Sequence, residues 1–205
     1  MFKKIIKYIY NELYRFLCPN CNKTRDTAAP ITIKGLFYQK VLGFNRKAYW
    51  PTHFTSIISN PKNIKIGVGT APGLSPGCYI QGGGKIIIGD YTIIAANVGI
   101  ISANHDLYDS RKHIKTTVKI GSYCWIAMNS VVLPNVTLGD FVIVGAGSVV
   151  TKSFDDGYCV IAGNPAKIIK KLEKDRCIKY ENVNEFIGYI KKSDFEKYRI
   201  KNINI

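Results

Sequence analysis

The sequence predicts an all-β chain built on a parallel β-helix, and three observations carry that expectation. From Ile88 onward an aliphatic residue recurs every six positions, at Ile88, Ile94 and Ile100 and again at Ile120, Ile126, Val132, Leu138, Val144 and Val150. Two positions before each stands a small or β-branched residue (Thr92, Val98, Val118, Cys124, Ser130, Val136, Val142, Ser148), with Ile86 the one larger. Gly or Ala follows the beat at Gly89, Ala95, Gly121, Ala127, Gly139 and Gly145. A fixed short period marks a repeat architecture. One unit makes a flat side plus a corner, three units close a coil of about eighteen residues, and coils stack about 4.8 Å apart. A β-sandwich would show period-two alternation and irregular turn spacing instead.

Along the chain, residues 2–17 read as a helix with one apolar face, Phe2, Ile5, Ile6, Ile9, Leu13, Phe16 and Leu17. It is too short and too charged to span a bilayer. That face either packs on the protein itself or lies on an anionic membrane as a peripheral contact. Residues 1–30 thus form a helix and linker, and 31–166 the β-helix, with irregular coils over 31–87. The runs Gly73–Gly77 and Gly82–Gly84 break register and predict loops. Between Ile100 and Ile120 the interval is twenty residues, where eighteen would be one full coil, and its polar sequence cannot supply a core. Residues 101–118 must therefore leave the coil as a loop, the kind of segment on which function concentrates. The tail 167–205 predicts one or two helices over the end of the prism.

Charge is unevenly placed. The net +15 divides as +8 over residues 1–60, +2 over 61–166 and +5 over 167–205. Basic ends of this kind meet anions, but no nucleic-acid motif accompanies them, and nucleic acid is not expected as a partner. The six cysteines do not form a secreted disulfide framework, and no signal peptide precedes them. Cys18-Pro19-Asn20-Cys21 is a lone Cys-x-x-Cys without a second pair at zinc spacing, expected as two reduced thiols in a reducing cytoplasm. No metal site is expected. A Gly-x-Ser-x-Gly elbow is absent, so covalent catalysis is not indicated, and Cys124 reads as packing.

The repeat from Ile120-Gly121 to Val150, followed by Ala162-Gly163-Asn164-Pro165-Ala166-Lys167, resembles the hexapeptide-repeat acyltransferases, in particular the maltose and galactoside O-acetyltransferase branch. The likeness spans about residues 60–172. It implies left-handed coils, an exception to the usual right-handed crossover. It also implies a homotrimer that moves an acetyl group from acetyl-CoA, as co-substrate, to a sugar or glycan hydroxyl, in surface polysaccharide or glycolipid assembly. Such a chain is expected in the cytoplasm or at the inner face of the membrane. Two alternatives remain open: N-acetylation of an amino sugar, and a non-catalytic β-helical binding protein.

Only His53, His105 and His113 could supply an imidazole. His105, on the loop, matches the family's general base, and a side chain with a pKa of about 6.5 suits proton removal near neutrality. Asn104 and Asp106 flank it as candidates to orient the ring or hold sugar hydroxyls. His113 reads as surface and His53 as structural. The resemblance places Trp125 beside the pantetheine arm, Ala127, Gly145 and Ala146 along the amide-lined groove, and Pro165, Lys167 and Lys170 near the adenine and its phosphates. One departure stands out. Met128 occupies the place where the galactoside enzyme has a serine, leaving backbone amides to hold the tetrahedral oxyanion. The Gly/Ser-rich segment 73–84 departs from that enzyme's acceptor wall as well.

Overall fold

The structure, a computed structural model, describes residues 18–205, so the helix expected over 2–17 lies outside the described residues. Three parallel sheets form the faces of a triangular prism. The first face stacks Ile57–Ser59, Tyr79–Gln81, Gly99–Ile101, Val131–Val132 and Val149–Val150 in that order. The second stacks Ile64–Lys65, Lys85–Ile88, Thr117–Ile120 and Thr137–Leu138. The third stacks Ile93–Ile94, Trp125–Ile126, Val142–Val144 and Cys159–Gly163, and Ala166–Lys171 then turns back antiparallel on its edge.

The six-residue beat is the core. All nine beat residues are at most 5% exposed, and they align coil on coil: Ile94 with Ile126 and Val144, Ile100 with Val132 and Val150, Ile120 with Leu138. The small residues two before each beat are buried as well, because both point into a prism too narrow for two long side chains per side. Corner glycines explain how closely the coils approach. A Cβ on Gly121 would lie 2.6 Å from the backbone nitrogen of Asp140, and one on Gly89 2.6 Å from that of Ser122.

Four local expectations are corrected. Residues 31–56 do not form irregular coils: a helical turn at Ile33–Leu36 continues into Phe37–Val41, and the first rung is Ile57–Ser59. This segment is organised by a buried polar side chain. Gln39 donates to the carbonyls of Ala48 and Trp50 and accepts from the Thr52 N–H and the Tyr189 hydroxyl. Secondly, Gly82–Gly84 does not break out as a loop but forms a corner within the stack. Its lack of side chains matters, since a Cβ on Gly83 would meet the Ala103 Cβ at 2.8 Å and one on Gly84 the Thr116 carbonyl at 2.0 Å. Ala103 and Thr116 are the two feet of the loop, so this corner is the seat on which the loop stands.

The tail is the third correction. It does give one helix over an end of the prism, Lys192–Asn202, but that is the end where the coils begin, and the residues before it are not helical in the way expected. After the antiparallel strand it runs back along one edge, where Tyr91, Tyr123, Phe141 and Tyr158 form a ladder with ring centroids 5.4, 4.9 and 5.2 Å apart. All four are in the left-handed region, with φ between 47° and 57°, which costs a bulky residue on the order of 1–2 kcal/mol. Mutual stacking and the tail offset it. Tyr180 packs on Tyr91 and Tyr123, the Tyr123 hydroxyl donates to the Tyr180 carbonyl, and the Tyr91 hydroxyl donates to Glu185. The single tail helix, Lys192–Asn202, then packs Phe195 against Tyr49 at the opposite end. Aromatic rings at successive corners need a cover, and the tail's own tyrosine supplies it.

Finally, Cys18 and Cys21 are joined as a disulfide in place of two reduced thiols. Pro19 opens a helical turn over Pro19–Lys23 that holds the two Cα atoms 5.3 Å apart, within disulfide reach.

Candidate active site

Each edge of the prism carries a different set of side chains, and two of the three bear on chemistry. The edge between the first and second faces carries the excursion. Ile88 pairs with Ile120, thirty-two residues away, whereas Val132 pairs with Val150 eighteen away. The excursion therefore adds fourteen residues to one corner; the interval to compare is a single six-residue unit and not a full coil. It folds as an antiparallel hairpin, Ala103–His105 against His113–Lys115, with His105 opposite His113.

On this hairpin His105 is oriented by backbone. Its Nδ1 lies 2.5 Å from the Ser110 carbonyl oxygen. A carbonyl only accepts, so the proton is assigned to Nδ1 and the lone pair to Nε2. The ring packs against His113 at 4.4 Å between centroids. Strand alternation puts His105 on one face with Ala103, His113 and Lys115, and Asn104 on the other with Ile114. Asp106 is committed to the turn, its Oδ1 accepting from the N–H groups of Tyr108 and Asp109. Neither flanking residue is thus brought to the His105 ring. The orienting group is a carbonyl, invisible to any reading of side-chain types.

Below the hairpin lies a cleft of about 470 Å³, lined by Ser59, Asn60, Asn63, Gln81, His113 and Lys115 among others. Gln81 pins the hairpin root, accepting from the Ala103 N–H and donating to the Ala103 carbonyl. Of these, the sequence marks His113 as an ordinary surface residue and places Gln81 within the 73–84 segment, while it does not single out Ser59, Asn60, Asn63 or Lys115. What signals them is their corner position, at the turn ending a first-face strand in successive coils, together with the cross-strand position of His113.

The edge between the third and first faces carries the small-residue column. Ile126 pairs with Val144 and Val144 with Ile161, so Ala127, Gly145 and Ala162 follow one another up this corner. Across the antiparallel turn Ala162 pairs with Lys167. Trp125, half exposed at 50%, begins a parallel row on the third face that continues through Ile143 and Val160 to Lys170. At the strand spacing of about 4.8 Å, that row spans about 14 Å. Ala146 is exposed, and its N–H has no acceptor among the described residues. Pro165 and Lys167 are exposed at the upper end. This corner suits a long flexible amide-bearing chain: a narrow strip with no side chain larger than a methyl, a free amide, an aromatic wall at one end and cations at the other.

These two sets of side chains do not meet within one chain. His105 stands on one edge and the column from Ala127 to Lys167 on another. Among the described residues no group of three or more His, Cys, Asp or Glu is placed to hold a metal ion. Cys124 is buried against the core, and that burial pushes its thiol up to about 12, which makes it a poor nucleophile.

The family model for bacterial transferase hexapeptide, of six repeats, matches residues 117–152. No curated protein sequence matches the chain. Among solved structures, a maltose O-acetyltransferase from Clostridium difficile 630 is 27% identical, with 78% of this chain and 87% of that one covered and a TM-score of 0.53. A galactoside acetyltransferase in complex with coenzyme A is 26% identical, with 66% and 68% covered and a TM-score of 0.55. An N-acyltransferase from Bacillus cereus, a mutant in complex with dTDP and coenzyme A, is 22% identical with 73% and 93% covered and a TM-score of 0.50, a likeness of fold alone. The coils are those of the left-handed parallel β-helix. By repeat and by fold this chain is an enzyme of the acyltransferase class that resembles the maltose and galactoside O-acetyltransferases.

Proposed function

We propose that this chain is an acetyl-CoA-dependent O-acetyltransferase that modifies a sugar hydroxyl by direct transfer, with His105 as the general base. The observation that carries the reading is the Ser110 carbonyl at His105 Nδ1, which leaves Nε2 as a base on a ring 4.4 Å from that of His113, itself a wall of an open polar cleft. Nε2 takes the hydroxyl proton while the oxygen forms its bond to the thioester carbonyl carbon. The tetrahedral adduct then collapses, the carbon–sulfur bond breaks, and the imidazolium returns its proton to the departing thiolate. Backbone N–H groups are the donors for the transient oxyanion, since Met128 stands where a hydroxyl would help. Trp125, Ala127, Gly145, Ala146, Pro165, Lys167 and Lys170 hold the acetyl carrier.

Separation of the base from the carrier column is what supports a homotrimer, in which one copy's hairpin reaches the column of the next. The reading places the enzyme in the cytoplasm, acting on a sugar destined for surface polysaccharide or glycolipid. Among the described residues no helix is long and apolar enough to cross a membrane.

Acetyl-CoA with a panel of sugar acceptors, followed by free-thiol release and mass of the product, tests the proposal. A gain of one acetyl group on oxygen is expected. Product acetylated on nitrogen only, or thiol release without an acetylated sugar, would overturn it.

A further inference from the structure

The cleft beside His105 has a charge bias that acetyl transfer itself does not require. Its floor is committed: Gln81 is bonded through both ends to Ala103, and Asn63 donates to the Gly82 carbonyl while accepting from Asn204. The side chains left for a ligand are those of Ser59, Asn60, His113 and Lys115, which make no side-chain hydrogen bond to another described residue. Among the described residues no carboxylate lines the cleft. The loop's two acids are engaged at its tip, Asp109 with Arg111 and Lys112, and Asp106 with backbone N–H groups. Lys115 takes part in no ion pair among the described residues.

A neutral sugar presents hydroxyls that both donate and accept, and a site for one mixes donors with acceptors. Here the one formally charged group is a cation with no acid paired to it among the described residues, and an ammonium only donates. An ionised acceptor would form charge-assisted hydrogen bonds, about twice as strong as neutral ones. The hairpin register sets the spacing between that cation and the imidazoles. Lys115 lies on the same hairpin face as His105 and His113, two residues along the strand from His113, about 7 Å at strand rise. That is the span of one monosaccharide. We infer that the cleft selects an anionic sugar, one bearing a carboxylate or a phosphate: the anion is held by Lys115 with Ser59 and Asn60, and a hydroxyl on the far side of the ring meets His105. This deepens the transfer reading given above and rests on it for the role of His105, though not for the binding of the anion.

The test uses the full chain and matched acceptors: a hexose, its hexuronate, the methyl ester of that hexuronate, and the hexose phosphate. Thiol release from acetyl-CoA is expected to give at least one anion a kcat/KM about tenfold or more above its neutral partner. The uronate and phosphate arms decide which anion it is. Lys115→Met should close most of that gap by raising KM, and Lys115→Arg should keep it. Equal use of neutral and anionic partners, or an unaltered KM for the anion in Lys115→Met, overturns the inference. A second measurement needs no transfer. Hexuronate or hexose phosphate, added without acetyl-CoA, should shift the imidazole resonances of His113 in the wild type and not in Lys115→Met. No shift with either anion at tens of millimolar also overturns it. If that shift is seen while no acceptor is ever acetylated, the transferase reading fails and the anion site stands.

Discussion

His105 and His113 occupy register-paired positions of one hairpin, with ring centroids 4.4 Å apart, and only His105 has a ring nitrogen bonded to backbone, at Ser110. The two imidazoles are therefore not equivalent. One has a fixed tautomer; the other lines the cleft. If the fixed one is the base, His105→Ala lowers turnover by about 10²–10⁴-fold and leaves coenzyme A affinity nearly as it was. His113→Ala costs far less turnover and shows in the acceptor's KM. Near-normal turnover in His105→Ala, by steady-state thiol release, would remove the mechanism.

Trp125 is half exposed and contributes little to the core. Trp125→Ala is expected to raise the KM for acetyl-CoA by about tenfold, the size of one lost aromatic contact on a flexible chain, with kcat less affected. An unchanged KM would show that the third face is not the carrier strip.

Coil stacking makes the corner glycines the sharpest structural test. At Gly121 a methyl group meets backbone atoms 2.6 Å away, and a neighbouring coil cannot give way. Gly121→Ala should cost about 1–3 kcal/mol in chemical denaturation. By contrast Gly147, with nothing within 4 Å, bears only its φ of +68°, and Gly147→Ala should cost about 1 kcal/mol. A milder effect at Gly121 than at Gly147 would contradict the stacking.

Thiol chemistry separates the cysteines. Cys78, Cys124 and Cys159 are buried, and burial pushes all three thiols up, Cys124 to about 12, while Cys177 is partly exposed. At pH 8 without reductant, one cysteine should react quickly with a disulfide-exchange reagent. Four should react after unfolding, because Cys18 and Cys21 are paired. Six reactive thiols in the unfolded protein would show that pair to be reduced.

What was legible in the sequence is what repetition encodes. Every beat residue from Ile88 to Val150 points inward because one pattern of side chains is imposed coil after coil, and the hairpin at 101–118 declared itself by interrupting that pattern. The rest depends on contacts that no period carries. The Ser110 carbonyl, the Gln81 clamp on Ala103 and the seat at Gly82–Gly84 join residues through backbone atoms. The tail read as helical because Phe186, Ile187, Ile190, Phe195 and Tyr198 suit a helix; Phe195 and Tyr198 do lie in one, whereas Phe186, Ile187 and Ile190 form a short hairpin. Its path was set by a ladder whose members, Tyr91, Tyr123, Phe141 and Tyr158, fall on corners outside the six-residue beat.

That clasp should respond to pH, with a sign that can be worked out. Glu185 accepts from Tyr91 and is paired with Lys192 at 2.8 Å. The Lys192 hydrogen bond, foremost, holds the Glu185 carboxyl below its ordinary value of about 4.3. A depressed carboxyl contributes stability that is present above the unfolded value and is lost as pH falls through the lower folded one. Lys192 is raised, mainly by the same hydrogen bond, so its share is present below about 10.4 and lost as pH rises beyond it. Burial pushes Tyr91 up to about 12, and its contribution likewise fades only in strong alkali. The tail should therefore stay clasped across the neutral range and loosen at both extremes while the coils persist. Hydrogen exchange of residues 173–190 at about pH 3, 7 and 11 reads this directly. Faster exchange is expected at either end, relative to the coil amides, and Glu185→Gln should raise it at neutral pH and flatten the acid limb. Uniform protection of the tail from acid to alkali in the wild type, or a Glu185→Gln variant that exchanges like it at every pH, would show that the aromatic contacts of Tyr180 hold the tail without help from the ion pair.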